Sequence, residues 1–218
     1  DEEGADKIEV LVVAVPRQMV EKIKKIAELT SLNLRAMEVE TFSMARSLIG
    51  RDQTSTAILN IGSHFTTIAM VDKSRLRVSH NLSRGSHELT EALEHGLGVS
   101  GERAENLKKE IGLSDRPEDQ ETVSVIIPLV EILFSDIERM ISMQNRKAPR
   151  KIQKIILTGG GSSLKGLVAY VSTKFGLEVA KVNPFSRLVT PPFIQPVLQE
   201  IGPGFSVAVG LALHEINY

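Results

Sequence analysis

The sequence contains no cysteine, no long apolar run and almost no net charge, and each of these absences excludes a class of protein. With no cysteine among 218 residues, disulfide frameworks, cysteine zinc sites and thiol nucleophiles are excluded. A net charge of -1 at pH 7 gives no electrostatic footprint for nucleic acid. The longest apolar runs are strand-sized, so the sequence predicts neither a membrane span nor a secretory signal. We therefore expect a soluble protein, and the absence of cysteine is compatible with the cytoplasm.

The rest of the composition is that of an ordinary globular protein. Hydrophobic residues make up 42% of the chain and charged residues 24%, which is enough to bury a core in one large domain or two small ones. The chain opens at Asp1 with a short acidic lead that runs directly into a strand-like segment. From this opening we expect that further chain precedes Asp1.

The first part of the chain, residues 1–50, has the pattern of a remnant of a first domain. Two apolar runs, residues 7–15 and 32–40, predict strands, and Pro16 is placed to begin the helix between them. Residues 41–50 predict a short connecting helix that ends at glycine. The prediction for this part is a βαβ unit followed by a connecting helix.

The second part, residues 51–218, predicts a mixed α/β sheet with an antiparallel meander and helices on its faces. Three strand-like runs separated by short polar breaks form the predicted meander, at residues 54–62, 66–72 and 75–83. The later predicted elements are helices at 86–97, 100–112 and 117–147, a strand, glycine turn, helix and strand over 151–182, an irregular segment at 183–204, and a terminal helix at 205–216.

Three short segments of the second part could each hold a piece of one ligand. In the first, Gly62 lets the backbone between two strands approach a ligand closely, and Ser63 and Thr66 add hydroxyl donors. Such a turn suits phosphate oxygens. A hairpin with hydroxyl groups on its solvent-exposed face explains the same residues when they are considered alone.

The second segment joins a strand to a helix through Gly159, Gly160, Gly161 and Ser162. The free amides and the dipole at a helix start favour a polar or anionic group, and glycines allow a flat base to lie against the backbone. The segment lacks the Gly-Lys-Ser/Thr ending of a phosphate loop and the spacing of a dinucleotide fingerprint. A purely structural turn therefore stays open as an alternative.

The third segment places Glu105 and Lys108 three residues apart, on one face of a predicted helix. A carboxylate can accept hydrogen bonds from both ribose hydroxyls. The lysine stem can cover an adenine face, and its ammonium can hydrogen-bond at the rim of the adenine. A surface ion pair is the alternative. The three segments occur in this order on one α/β pattern, with Gly85 opening the helical region between them, and this conjunction is more specific than its members.

In these segments the sequence resembles the second large domain of the actin-like ATPase superfamily, which has a ribonuclease H-like fold. Residues 58–72 are similar to the second phosphate motif of that superfamily, residues 104–112 to its ribose and adenine helix, and residues 156–167 to its adenosine motif. Within the superfamily, residues 9–48, 85–93, 183–185 and 208–213 resemble the PilM family of type IV pilus assembly most closely. The FtsA family of cell division is the alternative.

The resemblance implies the function, the cofactors and the partners. It implies an ATP-binding, cytoplasmic component of pilus assembly and twitching motility, peripheral at the inner face of the inner membrane. It implies a platform that grips the N-terminal tail of an inner-membrane partner similar to PilN, with self-association as a further option and no nucleic acid. It assigns the phosphates to Gly62, Ser63 and Thr66, the ribose and adenine to Glu105 and Lys108, and the base and sugar to Gly159, Gly160, Gly161 and Ser162.

Departures from the resemblance lead us to expect binding rather than catalysis. The superfamily usually has aspartate, which helps to order a metal, where this sequence has the neutral Asn60. Its first phosphate motif and most of the partner groove would lie upstream of Asp1. We therefore assign no catalytic residue, and expect ATP with Mg²⁺ to bind the full-length protein rather than this stretch alone, with weak hydrolysis at most.

The histidines do not predict a metal site. No two of the five histidines are spaced i, i+4 on a helix with acidic residues beside them, and we assign no metal ligand. His64 differs from the other four, because it follows Gly62 closely enough to lean over a phosphate. Two rival functions stay open: a small-molecule kinase of the same fold, and a scaffold that binds no nucleotide.

Overall fold

The computed structural model describes residues 10–214. These residues belong to two compact units, one that ends at Val39 and one that begins at Glu40. The second unit contains every strand of the described chain and every residue that the sequence assigns to the candidate site.

The first unit contains one helix, α1 (Arg17–Leu29), which confirms the helix predicted after Pro16. Pro16 occupies the N-cap position, where its missing amide costs no intrahelical hydrogen bond. The apolar residues of α1 recur at helical spacing, and Met19, Ile23 and Ile26 are exposed. The helix is therefore amphipathic, and part of its apolar face is exposed within the described residues.

The two strands predicted in this unit are wrong for the described residues, so the βαβ unit is not formed there. Residues 10–16 and 32–39 have no strand structure, and residues 7–9 lie outside the described part. A strand needs a neighbour to accept and donate its backbone hydrogen bonds, and residues 10–39 contain no strand to serve as one. β-branched residues fit well into a half-buried sheet, but they do not by themselves supply a partner strand.

The second unit is built on a five-stranded sheet whose first three strands form the predicted meander. β1 (Thr56–Ile61) pairs antiparallel with β2 (Thr66–Asp72), and β2 pairs antiparallel with β3 (Arg75–Leu82). β4 (Lys154–Thr158) joins the other side of β1 in parallel, and β5 (Glu178–Lys181) continues in parallel from β4. The strand order is β3-β2-β1-β4-β5, so the mixed α/β sheet is confirmed.

Helices cover both faces of the sheet, because β1 alternates between two cores. Leu59 faces a core shared with α5 (Gln120–Lys147) and α6 (Leu167–Phe175), where Phe134 is fully buried. Ile58 faces a second core, where Met44 of α2 (Glu40–Leu48) is fully buried. The period of two along a strand thus supplies each layer with its own apolar side chains.

Two helices between β3 and α5 form a small cluster of their own. α3 (Ser86–Leu97) is capped at its end by Gly98, which has φ +63°. α4 (Gly101–Glu110) is capped at its start by Ser100, whose hydroxyl accepts a hydrogen bond from the amide of Arg103. Leu93 and Ala104 are fully buried against α5. This packing fixes α4, which carries Glu105 and Lys108.

The irregular structure predicted for residues 183–204 is wrong in part, because this segment contains α7 (Gln195–Ile201). Pro196 lies in the first turn of α7, where proline is tolerated, so prolines here mark helix starts. The terminal helix is confirmed over α8 (Ser206–Ala212), whereas residues 215–216 lie outside the described part. No helix within residues 10–214 has both the length and the hydrophobicity of a membrane span.

The contact between α2 and α8 gives a prediction about stability. A Cβ atom added to Gly210 would overlap the carbonyl of Ser43, whereas one added to Gly204 would have no atom within 4 Å. We expect Gly210→Ala to lower the free energy of unfolding by about 1 to 3 kcal/mol, the usual cost of overpacking. Urea denaturation of both variants measures this, and equal stability of Gly210→Ala and Gly204→Ala would contradict the close approach.

Candidate functional site

Two glycine turns lie at the same end of the sheet, each directly after the carboxyl end of a strand. β1 and β4 run in parallel with Asn60 opposite Thr158, so the chain that follows each strand emerges at the same end. We call residues 62–65 the first glycine turn and residues 159–162 the second glycine turn. Ligands of α/β sheets bind beyond the carboxyl ends of parallel strands, which is where both turns lie.

The first glycine turn presents unpaired backbone amides. The amide of Gly62 donates to the carbonyl of Phe65 at 2.9 Å, and a Cβ atom on Gly62 would lie 2.9 Å from the same oxygen. Within residues 10–214, the amides of Ser63, His64 and Phe65 donate no hydrogen bond. Successive free amides in a turn attract anions, so this turn can hold phosphate oxygens.

Thr66 and Gly85 shape the first turn and do not line the cleft beside it. Thr66 is fully buried, and its hydroxyl donates to the carbonyl of Arg84 at 2.8 Å. A Cβ atom on Gly85 would overlap the carbonyl of Ser63. The absence of that atom lets the amide of Ser86 reach the carbonyl of Gly62 at 2.9 Å. The two residues therefore fix the start of α3 against the turn.

The second glycine turn is anchored by the backbone carbonyl of Pro203. Gly159 has φ +81°, and its amide donates to the carbonyl of Pro203 at 2.8 Å. The hydroxyl of Thr158 donates to the same carbonyl at 2.8 Å. A Cβ atom on Gly159 would overlap the side-chain oxygen of Asn60. Only glycine fits this position, because both its backbone angle and its lack of space exclude a side chain.

Above this anchor, the second turn leaves open space at one glycine. A Cβ atom on Gly161 would overlap Ile61, whereas one on Gly160 would have no atom within 4 Å. Ser162 is buried, and its hydroxyl donates to the carbonyl of Gly159 at 2.7 Å. Ser162 therefore closes the turn internally, and Gly160 is the position where a flat group can lie against the backbone.

Glu105 and Lys108 form a partly buried hydrogen-bond network with each other. The ammonium of Lys108 donates to Glu105 Oε2 at 2.6 Å, to Thr90 Oγ1 at 2.7 Å and to the carbonyl of Ser86 at 3.2 Å. Thr90 in turn donates to Glu105 Oε2 at 2.7 Å. All three donors of Lys108 are thus used, and Lys108 holds the carboxylate in place from behind.

The carboxylate of Glu105 stays ionised in this network. Burial is the largest single influence and by itself raises the pKa of Glu105, but the hydrogen bonds from Lys108 and Thr90 and the charge of Lys108 outweigh it. The net result is a pKa below the ordinary value of 4.5. Thr90 and Lys108 both donate to Oε2, so Oε1 can still accept hydrogen bonds from a ligand.

Lys109 is a site residue that sequence reasoning missed. Its ammonium lies 3.4 Å from Glu105 Oε1, and its side chain is 69% exposed. Lys108 was assigned the rim of the adenine, but Lys109 is the lysine whose side chain is largely exposed. The i, i+4 spacing from Glu105 is a signal for this contact, although spacing alone does not tell which lysine is buried.

The three predicted segments line one cleft of ≈ 780 Å³, within the usual range of ligand sites. The first turn contributes Ser63, the α4 face contributes Glu105 and Lys108, and the second turn contributes Gly160 and Gly161. The cleft also includes residues that the sequence did not assign: Ser86, His87, Leu89, Lys109, Ser163, Leu164, Lys181, Glu200 and Ile201. Residues 10–214 contain no cluster of three or more His, Asp or Glu side chains arranged to hold a metal ion.

Comparisons with known sequences identify a family. The chain matches the family described as Type IV pilus assembly protein PilM over residues 1–216. It is 24% identical to the cell division protein FtsA of Streptococcus pneumoniae, over 78% of this chain and 41% of that protein. The chain spans about half the length of the curated relatives that it matches, between 41% and 51%.

Comparisons with solved structures establish the fold. A PilM–PilN type IV pilus biogenesis complex superposes with a TM-score of 0.78 at 23% identity, covering 91% of this chain and 58% of that one. EutJ of Carboxydothermus hydrogenoformans gives 0.66 at 20% identity, covering 92% and 62%. MreB5 of Spiroplasma citri, bound to ADP, gives 0.62 at 14% identity, covering 93% and 66%. The actin-like fold expected from the resemblance is confirmed.

The Glu105 network gives a prediction about pH. A carboxyl whose pKa is lowered on folding stabilises the fold above its ordinary pKa, and this stability is lost as the pH falls through the folded value. The stability difference between wild type and Glu105→Gln is therefore expected to be largest near neutral pH and to shrink below pH 4.5. Urea denaturation over a pH series measures it. Glu110→Gln, at an exposed position of α4, is the control, and a pH-independent difference for Glu105→Gln would contradict the network.

Proposed function

The chain belongs to the PilM family of type IV pilus assembly proteins, and from that premise we propose that it binds ATP in the cleft between its two glycine turns. In the proposed mode, the first glycine turn holds the phosphates, Glu105 holds the ribose, and the second glycine turn supports the adenine. The full-length protein then acts as a cytoplasmic platform for an inner-membrane pilus protein.

One observation carries the nucleotide proposal: three segments that are far apart in the sequence line a single cleft of ≈ 780 Å³. The donor and acceptor types suit the parts of ATP. Free amides at Ser63, His64 and Phe65 suit an anion, Glu105 Oε1 can accept from ribose hydroxyls, and the space above Gly160 admits a flat ring. In this mode Lys109 lies at the rim of the adenine, in the role that was expected of Lys108.

The proposal is one of binding, without an assigned catalytic residue. Asn60 lies against Gly159 at the base of the second turn, and its neutral amide supplies no carboxylate to order a cation. Mg²⁺ bound with ATP would neutralise charge on the phosphates. The described residues that contact such a complex are backbone amides and Glu105, which orient the nucleotide.

The partner proposal follows from the family and from one structural neighbour. That neighbour is a PilM–PilN type IV pilus biogenesis complex. We propose that the full-length protein likewise binds an inner-membrane protein similar to PilN through its N-terminal tail, at the cytoplasmic face of the membrane, and that it contributes to twitching motility. Self-association is a further part of this proposal.

The nucleotide proposal is tested by filling the space above the second turn. Gly160→Val adds a side chain where no protein atom lies within 4 Å, so it is expected to fold normally and to obstruct the base. In the full-length protein, we expect Gly160→Val to weaken ATP binding at least tenfold, about the loss of one well-placed contact group. Isothermal titration calorimetry with Mg-ATP measures the affinity.

Two further variants make this test specific. Gly204→Val adds the same side chain at an open position outside the cleft and is expected to bind ATP as the wild type does. Glu105→Gln is expected to lose about fivefold to twentyfold, because it removes a charge-assisted hydrogen bond to ribose. Wild-type affinity in Gly160→Val would contradict the site, and no ATP binding by the wild type would favour a nucleotide-free scaffold.

A further inference from the structure

Two histidines stand side by side where the first glycine turn meets α3. The rings of His64 and His87 are tilted by 46° with centroids 5.0 Å apart. His64 belongs to the turn, and His87 lies in the first turn of α3 and lines the cleft. The amide of His87 donates to the carbonyl of Ser63 at 2.8 Å. The pair is therefore held by the backbone at the same place as the free amides of the turn.

Few acidic groups balance this pair. Glu91 Oε1 lies 3.5 Å from His87 Nε2 and is itself more than half exposed. Arg84, just before α3, already contacts Glu88 at 3.5 Å and Asp136 at 3.9 Å. The remaining charged groups that share the cleft come from α4, β5 and α7, namely Glu105, Lys108, Lys109, Lys181 and Glu200.

A phosphate beside the two rings attracts a positive charge on either ring and accepts hydrogen bonds from ring nitrogens. The free amides of the first glycine turn and the N-terminus of α3 also attract an anion to this place. Binding of an anion and protonation of the pair therefore favour each other.

We propose that His64 and His87 bind the distal phosphate of a nucleoside diphosphate or triphosphate, and that the pair takes up a proton when the nucleotide binds. This inference rests on the nucleotide site proposed above and adds to it the residues that recognise the phosphate end. It makes nucleotide affinity dependent on pH across the range in which histidine titrates. It also distinguishes ADP and ATP, which have a distal phosphate, from AMP.

The test is titration calorimetry of the full-length protein with Mg-ATP near pH 7, in two buffers that differ in ionisation enthalpy. The difference in heat gives the number of protons taken up. We expect wild type to take up more protons per ATP than the His64→Gln, His87→Gln double variant, by up to about one. Subtracting the variant removes protons exchanged by ATP itself.

Affinity provides a second readout. From about pH 8 to about pH 6, wild type is expected to gain roughly tenfold in ATP affinity relative to the double variant, as for a charge-assisted hydrogen bond. His95→Gln, which replaces an exposed histidine in the last turn of α3, is the matched control and is expected to behave as wild type. AMP is expected to show no difference between wild type and the double variant.

The outcomes separate this inference from the proposed function. ATP binding by both wild type and the double variant supports the nucleotide site proposed above. If ATP binds but proton uptake and the pH dependence are the same in both proteins, the role of the pair is overturned and the site stands. If wild type binds no ATP at any pH, the site and the inference both fail.

Discussion

The parallel pairing of β1 with β4 is the constraint on which the candidate site depends. Because Asn60 lies opposite Thr158, the two glycine turns begin side by side at the same end of the sheet, although about 100 residues separate them in the sequence. A shift of one residue in this register would exchange the two cores of β1. The apolar side chains on the two faces of β1, Ile58 and Leu59, therefore also fix the position of the cleft.

The α3–α4 pair completes the cleft through a buried polar network. Lys108 donates all its hydrogen bonds to Glu105, Thr90 and the carbonyl of Ser86, so its ammonium holds the carboxylate in place. A satisfied buried network fixes geometry more firmly than exposed pairs do. Since Ser86 also bonds to the carbonyl of Gly62, α4, α3 and the first turn form one connected unit.

Sequence reasoning could predict the meander, the helices and the convergence of three segments, because these follow from periodicity, glycine positions and the order of motifs. It could not predict which of two adjacent lysines is buried, nor that the hydroxyls of Thr66 and Ser162 are engaged with backbone carbonyls, since these depend on neighbours distant in sequence. The strands predicted at residues 7–15 and 32–40 were wrong within the described residues for the same reason: strand composition does not provide a pairing partner.

The central claim is that both glycine turns and α4 contact one nucleotide. Amide hydrogen exchange of the full-length protein with and without Mg-ATP tests it most directly, because a bound ligand slows exchange at the amides that it covers. We predict slower exchange at residues 63–65, at residues 160–161 and at residues 105–109 of α4 together, at the same ATP concentration. Protection confined to one of the three segments, or none in any, would contradict a shared nucleotide site.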